Sequence, residues 1–352
     1  MNQFLTPGPV FVPPFVLEAI NKDVIHHRSP KFQVFYKGLL ERLSYLFQAK
    51  TVGTMMGSGT FGVASMMYSL FQSGEKVVVV NNGKFSARWV DEGRLQGLEV
   101  IELQKKWGEG VSTPEVLDQL DTNVAGVILT HSETSTGVIV DVENIAFAIK
   151  RAFPGVLIVV DAITSVGVMP YYHDAWQIDG SIVSAQKALM NPAGTVAFAL
   201  SDLAVGKLKP SHSGDFRNLY NYIQSNKEFT HPFTAPAQLL YGLDVALASI
   251  QGQELPAIWD KSHQSARTFR LGLEKLGGKI YAQPASEALT AFSFENWDME
   301  KIKSRLKSEY GWTLSSGQGK LKGNILRVSH MGTSDRHTME ALLKDMEKMI
   351  KP

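Results

Sequence analysis

A mostly parallel α/β domain followed by a smaller α+β C-terminal domain is the fold that this 352-residue sequence predicts, on three observations. Residues 77–80, 124–129 and 156–160 are short β-branched runs, apolar throughout rather than alternating, as strands covered on both faces are. Longer amphipathic stretches separate them, joined through short turns that carry Gly or Asn. After about residue 240 the alternation stops and helical patterns dominate.

Taken in order, the helical patterns of the first part cover 61–71, 85–96, 114–120 and 142–153. Residues 181–184 and 195–200 read as further strands of the same sheet. A long helical pattern then runs over 239–276, interrupted near 252–256. It is followed by the run 288–294, a charged helix at 299–310, a strand at 325–329 and a closing helix at 336–350. The expected division is a segment 1–16 reaching over a functional site, a large domain 17–240 and a small domain 241–352.

Composition narrows the function. Hydrophobic residues at 44% and charged residues at 20% exclude a disordered, collagen-like or coiled-coil chain. The 35 Lys and Arg against 34 Asp and Glu leave a formal charge of +1, which disfavours nucleic-acid and membrane-surface binding. Without cysteine there is no disulfide, thiolate metal site or cysteine nucleophile. The N-terminus lacks a basic leader ahead of an apolar run, and no stretch is long enough to span a bilayer, so a cytoplasmic location is expected.

Three short segments carry chemistry. Ser58-Gly59-Thr60 opens a helix, where free N–H groups, the dipole and hydroxyls make an anion site; an ordinary capped turn reads the same way. Neither the Walker spacing nor the G-x-G-x-x-G pattern is present. Asp161 ends an apolar strand, the place where α/β sheets hold ligands; the plain alternative is a turn cap, and a metal lacks companion ligands. Lys187 follows the strand 181–184 in an apolar setting, where burial lowers a lysine's pKa and favours a Schiff base. A surface lysine is the alternative for that residue taken alone.

Together these parts suit pyridoxal phosphate, which needs a lysine for its aldehyde, an acid for its ring nitrogen and donors for its phosphate. Phe85, at a helix start, is the candidate ring stacker, or else a core residue.

Five ordered runs now resemble a known family. They are Thr6-Pro7-Gly8-Pro9, Ser58-Gly59-Thr60, the run Thr130-His131-Ser132-Glu133-Thr134-Ser135-Thr136-Gly137, Val160-Asp161-Ala162-Ile163-Thr164-Ser165 and Ser184-Ala185-Gln186-Lys187-Ala188-Leu189. In order they are similar to the class V pyridoxal-phosphate aminotransferases of the alanine–glyoxylate / serine–pyruvate group. The resemblance implies fold type I of the PLP-dependent transferases and ping-pong amino transfer. The donor would be alanine, serine or aspartate, and the acceptor glyoxylate or pyruvate.

Residue by residue, the resemblance implies that Lys187 forms the internal aldimine and later moves the proton. It implies that Asp161 pairs with the ring nitrogen, that Phe85 stacks where many relatives carry Trp, and that Ile163 packs on the other ring face. Ser58, Gly59, Thr60 and Gln186 would hold the phosphate. Thr134 would face cofactor and substrate, Arg327 would grip the substrate carboxylate, and Gly8 and Arg28 would border the substrate. The segment Thr230-His231-Pro232-Phe233-Thr234-Ala235-Pro236 resembles a loop that reaches the neighbouring subunit's phosphate, which makes His231 and Thr234 cofactor contacts in a homodimer with shared sites. An ordinary linker is the alternative for that loop.

Cysteine desulfurases share this fold but need the cysteine that this sequence lacks. A 2-aminoethylphosphonate–pyruvate or phosphoserine transaminase needs a second cationic pocket, which His26-His27-Arg28 offers. A non-catalytic protein that keeps the fold for binding is opposed by the joint retention of Lys187, Asp161 and Arg327.

Overall fold

The computed structural model describes residues 3–211 and 214–350. The first two residues of the expected N-terminal segment and the last two of the expected C-terminal domain lie outside the described residues. The chain lays down β1 (Thr51–Gly57), β2 (Lys76–Asn81), β3 (Glu99–Gln104) and β4 (Val124–Thr130). It then makes a two-stranded ribbon, β5 (Ser132–Glu133) with β6 (Val138–Ile139). It returns as β7 (Leu157–Asp161), β8 (Gly180–Ser184) and β9 (Gly194–Leu200).

Seven of these strands form one sheet in the order β1-β9-β8-β7-β4-β2-β3. β3, β2, β4, β7 and β8 run parallel, and β9 opposes both of its neighbours. Helices cover both faces, so each strand needs apolar side chains on both sides. Val78, Val80, Ile158 and Val160 point into one core with Leu39, Leu43 and Ile145. Val77, Val79, Leu157 and Val159 point into the other with Met66, Leu70 and Trp89. The continuous apolar runs are thus the period-2 strand pattern with both phases buried.

Among the elements that were not expected are the strands β1 and β3 and the helices Pro14–Ile20 and Pro30–Phe47. β1 carries Gly, Thr and Met, and β3, Glu-Val-Ile-Glu-Leu-Gln at the sheet edge, breaks its apolar residues with Glu and Gln, so neither shows a long β-branched run. The helix expected over 114–120 shortens to Thr113–Leu117, started by a box in which Glu115 accepts from Ser112 N–H. The long pattern 239–276 is two helices, Ala237–Gln253 and Leu255–Lys275, broken at Glu254, whose φ of 63° cannot continue a helix.

The small domain is an antiparallel sheet in the order β10-β11-β13-β12, from β10 (Gly278–Ile280), β11 (Leu289–Phe294), β12 (Ser315–Ser316) and β13 (Leu326–Ser329). Its core joins Phe269, Phe292, Leu306, Val328 and Leu342. The expected boundary at 240/241 falls inside the helix Ala237–Gln253, whose Leu243, Leu247 and Ile250 belong to the core of the large sheet. We propose that the division lies within Leu255–Lys275, between Ile258 and Phe269.

Ahead of residue 14 the chain is a strap between the two sheets. Leu5 is buried in the small core, its N–H donating to Thr313 O at 2.9 Å while its carbonyl accepts from Ser329 N at 2.9 Å. Val10 N–H donates to Gln186 O at 3.0 Å on the large side.

Candidate active site

Gly57, Thr130, Asp161 and Ser184 end β1, β4, β7 and β8, so the carboxyl ends of these strands open on one cleft, as ligand sites in α/β sheets do. The cleft has a volume of about 270 Å³. Lys187, Asp161, Phe85, Ile163 and Gln186 line it, as do Ser58, Gly59 and Thr60 on another wall and Thr134 and Gly8 at its rim. Ten of the residues singled out in the sequence therefore meet in one cavity.

Asp161 is buried. Its Oδ2 accepts from Trp89 Nε1 at 3.1 Å and its Oδ1 from Ile163 N at 3.1 Å. Burial pushes its carboxyl up to about 6, an effect that the bond from Trp89 works against. Lys187 is also buried, and its Nζ donates to the carbonyl of Pro7 at 2.6 Å. Burial, with Arg327 nearby, pushes its ammonium down to about 8 although the Asp161 charge favours protonation. Gly8, at φ 117°, leaves this lysine its room: a β-carbon there would stand 2.3 Å from Nζ.

The anion-binding wall is open. Ser58 holds the N-cap position of the 12-residue helix Gly59–Leu70, yet its hydroxyl makes no capping bond. Thr60 Oγ1 accepts from Arg88 Nη1 at 3.0 Å, which leaves its own hydroxyl hydrogen free to be donated. Thr130, fully enclosed in the cleft wall, has a hydroxyl with no protein partner. An uncapped helix N-terminus, spare hydroxyls, a buried amine and a buried carboxyl fit pyridoxal phosphate in phosphate, aldehyde and ring nitrogen.

Arg327, on β13, does not itself line the cleft but stands behind Thr134. Its Nη1 donates to Thr134 O at 2.9 Å, and Nε and Nη2 donate to Ser316 O at 3.0 and 2.8 Å. Among the described residues it forms no ion pair, and burial pushes it down to about 10. Three donors hold the plane and leave two N–H groups for an anion.

Besides Arg327, three expected site residues are not in the cleft of their own chain. His231 turns inward, its ring 5.3 Å from Tyr222 and 6.4 Å from Tyr36, with Nδ1 beside Phe233 O. Burial pushes its imidazole down to about 4, so within its own chain it is neutral at pH 7. The neighbouring tyrosines give the ring an aromatic pocket that the Pro-flanked loop did not reveal. Thr234 and Arg28 are exposed.

Three further residues belong to the site. Trp89 reaches Asp161 from one helical turn beyond Phe85. Arg88 lies with its guanidinium 4.7 Å from the Phe85 ring centre, beside Thr60. Glu133, inside a recognised motif but without an assigned role, is completely buried against the turn that carries Phe85. Helical spacing from Phe85 is the signal that marks Arg88 and Trp89 in the sequence.

Comparison with known proteins bears on this geometry. The family model "Aminotransferase class-V" matches residues 18–334. A Synechococcus protein named soluble hydrogenase, small subunit, is 33% identical over 96% of this chain and 90% of its own. The L-aspartate–glyoxylate aminotransferase of Paracoccus denitrificans is 27% identical over 94% of this chain and 87% of its own. The crystal structure of a subgroup IV aspartate aminotransferase from Thermus thermophilus superposes with a TM-score of 0.92, at 29% identity, covering 99% of both chains.

Proposed function

Because the chain belongs to the class V aminotransferases, and is therefore a pyridoxal-phosphate-dependent transaminase, we propose that it moves the amino group of a small amino acid to glyoxylate or pyruvate. Alanine, serine or aspartate is the donor in this reading. The observation that carries it is the buried Lys187, free of any carboxylate partner among the described residues, facing Asp161 and an open helix N-terminus in one cavity. The aspartate–glyoxylate relative supports the choice of acceptor.

Pyridoxal phosphate, when bound, supplies an aldehyde that condenses with amines and a ring that draws electrons from the substrate Cα. Ser58, Gly59, Thr60 and Gln186 would hold its phosphate, the Asp161 carboxylate would keep its ring nitrogen protonated, and Phe85 and Ile163 would hold its ring. Arg327 fixes the substrate carboxylate with its two free N–H groups, and Thr134 and Gly8 shape the space beside it. Lys187 Nζ, depressed towards 8, is neutral often enough near pH 8 to take the Cα proton and return it.

The same reading makes the protein a homodimer in the cytoplasm. Exposed Arg28 and Thr234 lie outside the cleft of their own chain, which suits a task at a partner's cleft.

Borohydride reduction of the cofactor-loaded protein, followed by peptide mapping, should place the pyridoxyl label on Lys187. A label on Lys84 or Lys207 would sink the assignment. A panel of alanine, serine, aspartate, phosphoserine and 2-aminoethylphosphonate against glyoxylate, pyruvate and 2-oxoglutarate tests the substrates. Turnover confined to the two phosphorus-containing donors would overturn the small-donor reading.

A further inference from the structure

Glu133 is the most completely enclosed carboxylate of the site, at 0% exposure, and it forms no ion pair among the described residues. Burying such a group is costly unless donors surround it. Here they do. Oε2 accepts from Phe85 N at 3.0 Å and Ser86 N at 2.8 Å, while Oε1 accepts from Ser135 N at 2.9 Å and Ser135 Oγ at 2.7 Å. Ser135 Oγ in turn accepts from Lys84 N at 2.9 Å. The first three N–H groups of the helix Lys84–Leu95 are thus satisfied from another part of the chain, because Gly83 at its N-cap has no side chain to do so.

Gly83 is matched to this arrangement. A β-carbon there would lie 2.3 Å from Glu133 Cγ and 2.4 Å from Cδ, inside the carboxylate itself. The same helix presents Phe85 to the cleft from its first turn and Trp89 to Asp161 one turn later, so whatever fixes its start bears on both. A neutral Ser or Asn would cap a helix as well. A full charge at the positive end of the helix holds it harder, and this one also acts on Lys187, Asp161 and Arg327.

We propose that Glu133 is a positioning residue: its carboxylate clamps the turn Gly83–Ser86 and so sets where Phe85 stands against the cofactor ring and where Trp89 meets Asp161. The proposal rests on the cofactor reading above.

Glu133→Gln turns an amide N–H towards donors and releases the turn; Gly83→Ala pushes the carboxylate away without removing its charge. Ser135→Ala, a milder change, takes the acceptor of Lys84 N–H and one of the donors to Glu133 Oε1, and leaves the bonds to Phe85 N and Ser86 N. The readouts on cofactor-loaded protein are the visible absorbance band, its circular dichroism, and the dissociation constant for pyridoxal phosphate. Glu133→Gln and Gly83→Ala should each lose most of the visible dichroism and weaken cofactor binding about tenfold, with Ser135→Ala between them and the parent. The pH midpoint of the band should fall in Glu133→Gln, where the anion facing Lys187, Asp161 and Arg327 is gone, and stay in place in Gly83→Ala. Parental dichroism and affinity in Glu133→Gln, with only a lower melting temperature, would reduce Glu133 to a helix cap and overturn the proposal. A loss in Glu133→Gln without one in Gly83→Ala would also overturn it, because charge alone would then be at work. If the parent binds pyridoxal phosphate without any visible band, the cofactor reading falls, and this proposal with it.

Discussion

Trp89 and Asp161, 72 positions apart in the chain, are joined by an indole N–H donated to a buried carboxylate oxygen at 3.1 Å. The bond opposes the rise that burial imposes on Asp161, so it keeps the carboxyl ionised at lower pH than the cavity alone would allow. Trp89→Phe keeps the packing and removes the donor. The carboxyl should then titrate higher, and the acid limb of the kcat/KM profile should move to higher pH, with activity near pH 6.5 reduced severalfold. An unmoved limb would mean that the indole serves only to fill space.

Asp161→Asn should abolish most transamination, because a neutral amide cannot hold a protonated ring nitrogen. In the cofactor-free protein it should raise stability. A carboxyl pushed up to about 6 favours its protonated form in the folded chain, so its contribution is present below the ordinary carboxylate range and lost as pH rises through about 6. The shift is worth up to about 3 kcal/mol, less the cost of facing an amide N–H to Ile163 N, which leaves a gain of about 1 kcal/mol at pH 8. Melting curves at pH 8 and pH 4 check this; the gain should vanish at the lower pH.

Arg327→Ala should lose ~3 kcal/mol of transition-state binding, roughly a hundredfold in kcat/KM, for every α-amino acid tested. Cofactor affinity should hold, since the guanidinium lies behind Thr134 and away from the anion-binding wall. Arg327→Lys should recover only part, lacking the planar fork. Full activity in Arg327→Ala would turn attention to Arg28.

Arg88 donates to Thr60 and so frees that hydroxyl to face an anion. Arg88→Ala should weaken pyridoxal phosphate binding about tenfold and leave pyridoxal, which lacks the phosphate, almost unaffected. Equal losses for both ligands, measured by titration of the visible band, would place Arg88 on the ring instead.

Mixing Lys187→Ala with Arg28→Ala subunits tests the shared site. Random pairing makes half of the dimers mixed, and one of the two sites in each mixed dimer is intact, so about a quarter of parental activity should return. No recovery would confine Arg28 to its own chain.

Much of the site was legible because its parts sit at strand ends in contiguous runs: Ser58-Gly59-Thr60, Asp161 with Ile163, and Gln186 with Lys187 each need only local geometry. Contacts between distant segments were not. No pattern in the run from Lys84 to Trp89 says that its indole will meet Asp161, or that Glu133 will supply the missing cap. His231 is of the same kind: its packing against Tyr222 and Tyr36 joins segments far apart in the chain, and the Pro-flanked run gives no sign of it. Likewise β3 escaped notice because its glutamates suit an edge strand, where one flank needs no apolar cover.

The strap from Leu5 to Val10 also sets a mechanical limit. Five residue steps fully drawn out span at most about 17 Å. One end is pinned by Thr313 and Ser329, the other by Gln186, and the carbonyl of Pro7 between them holds Lys187 Nζ. The small sheet therefore travels on a short leash whose midpoint is the reactive amine. Any outward swing long enough to draw the leash straight pulls on Pro7 before it breaks either anchor, so the amine feels the movement first.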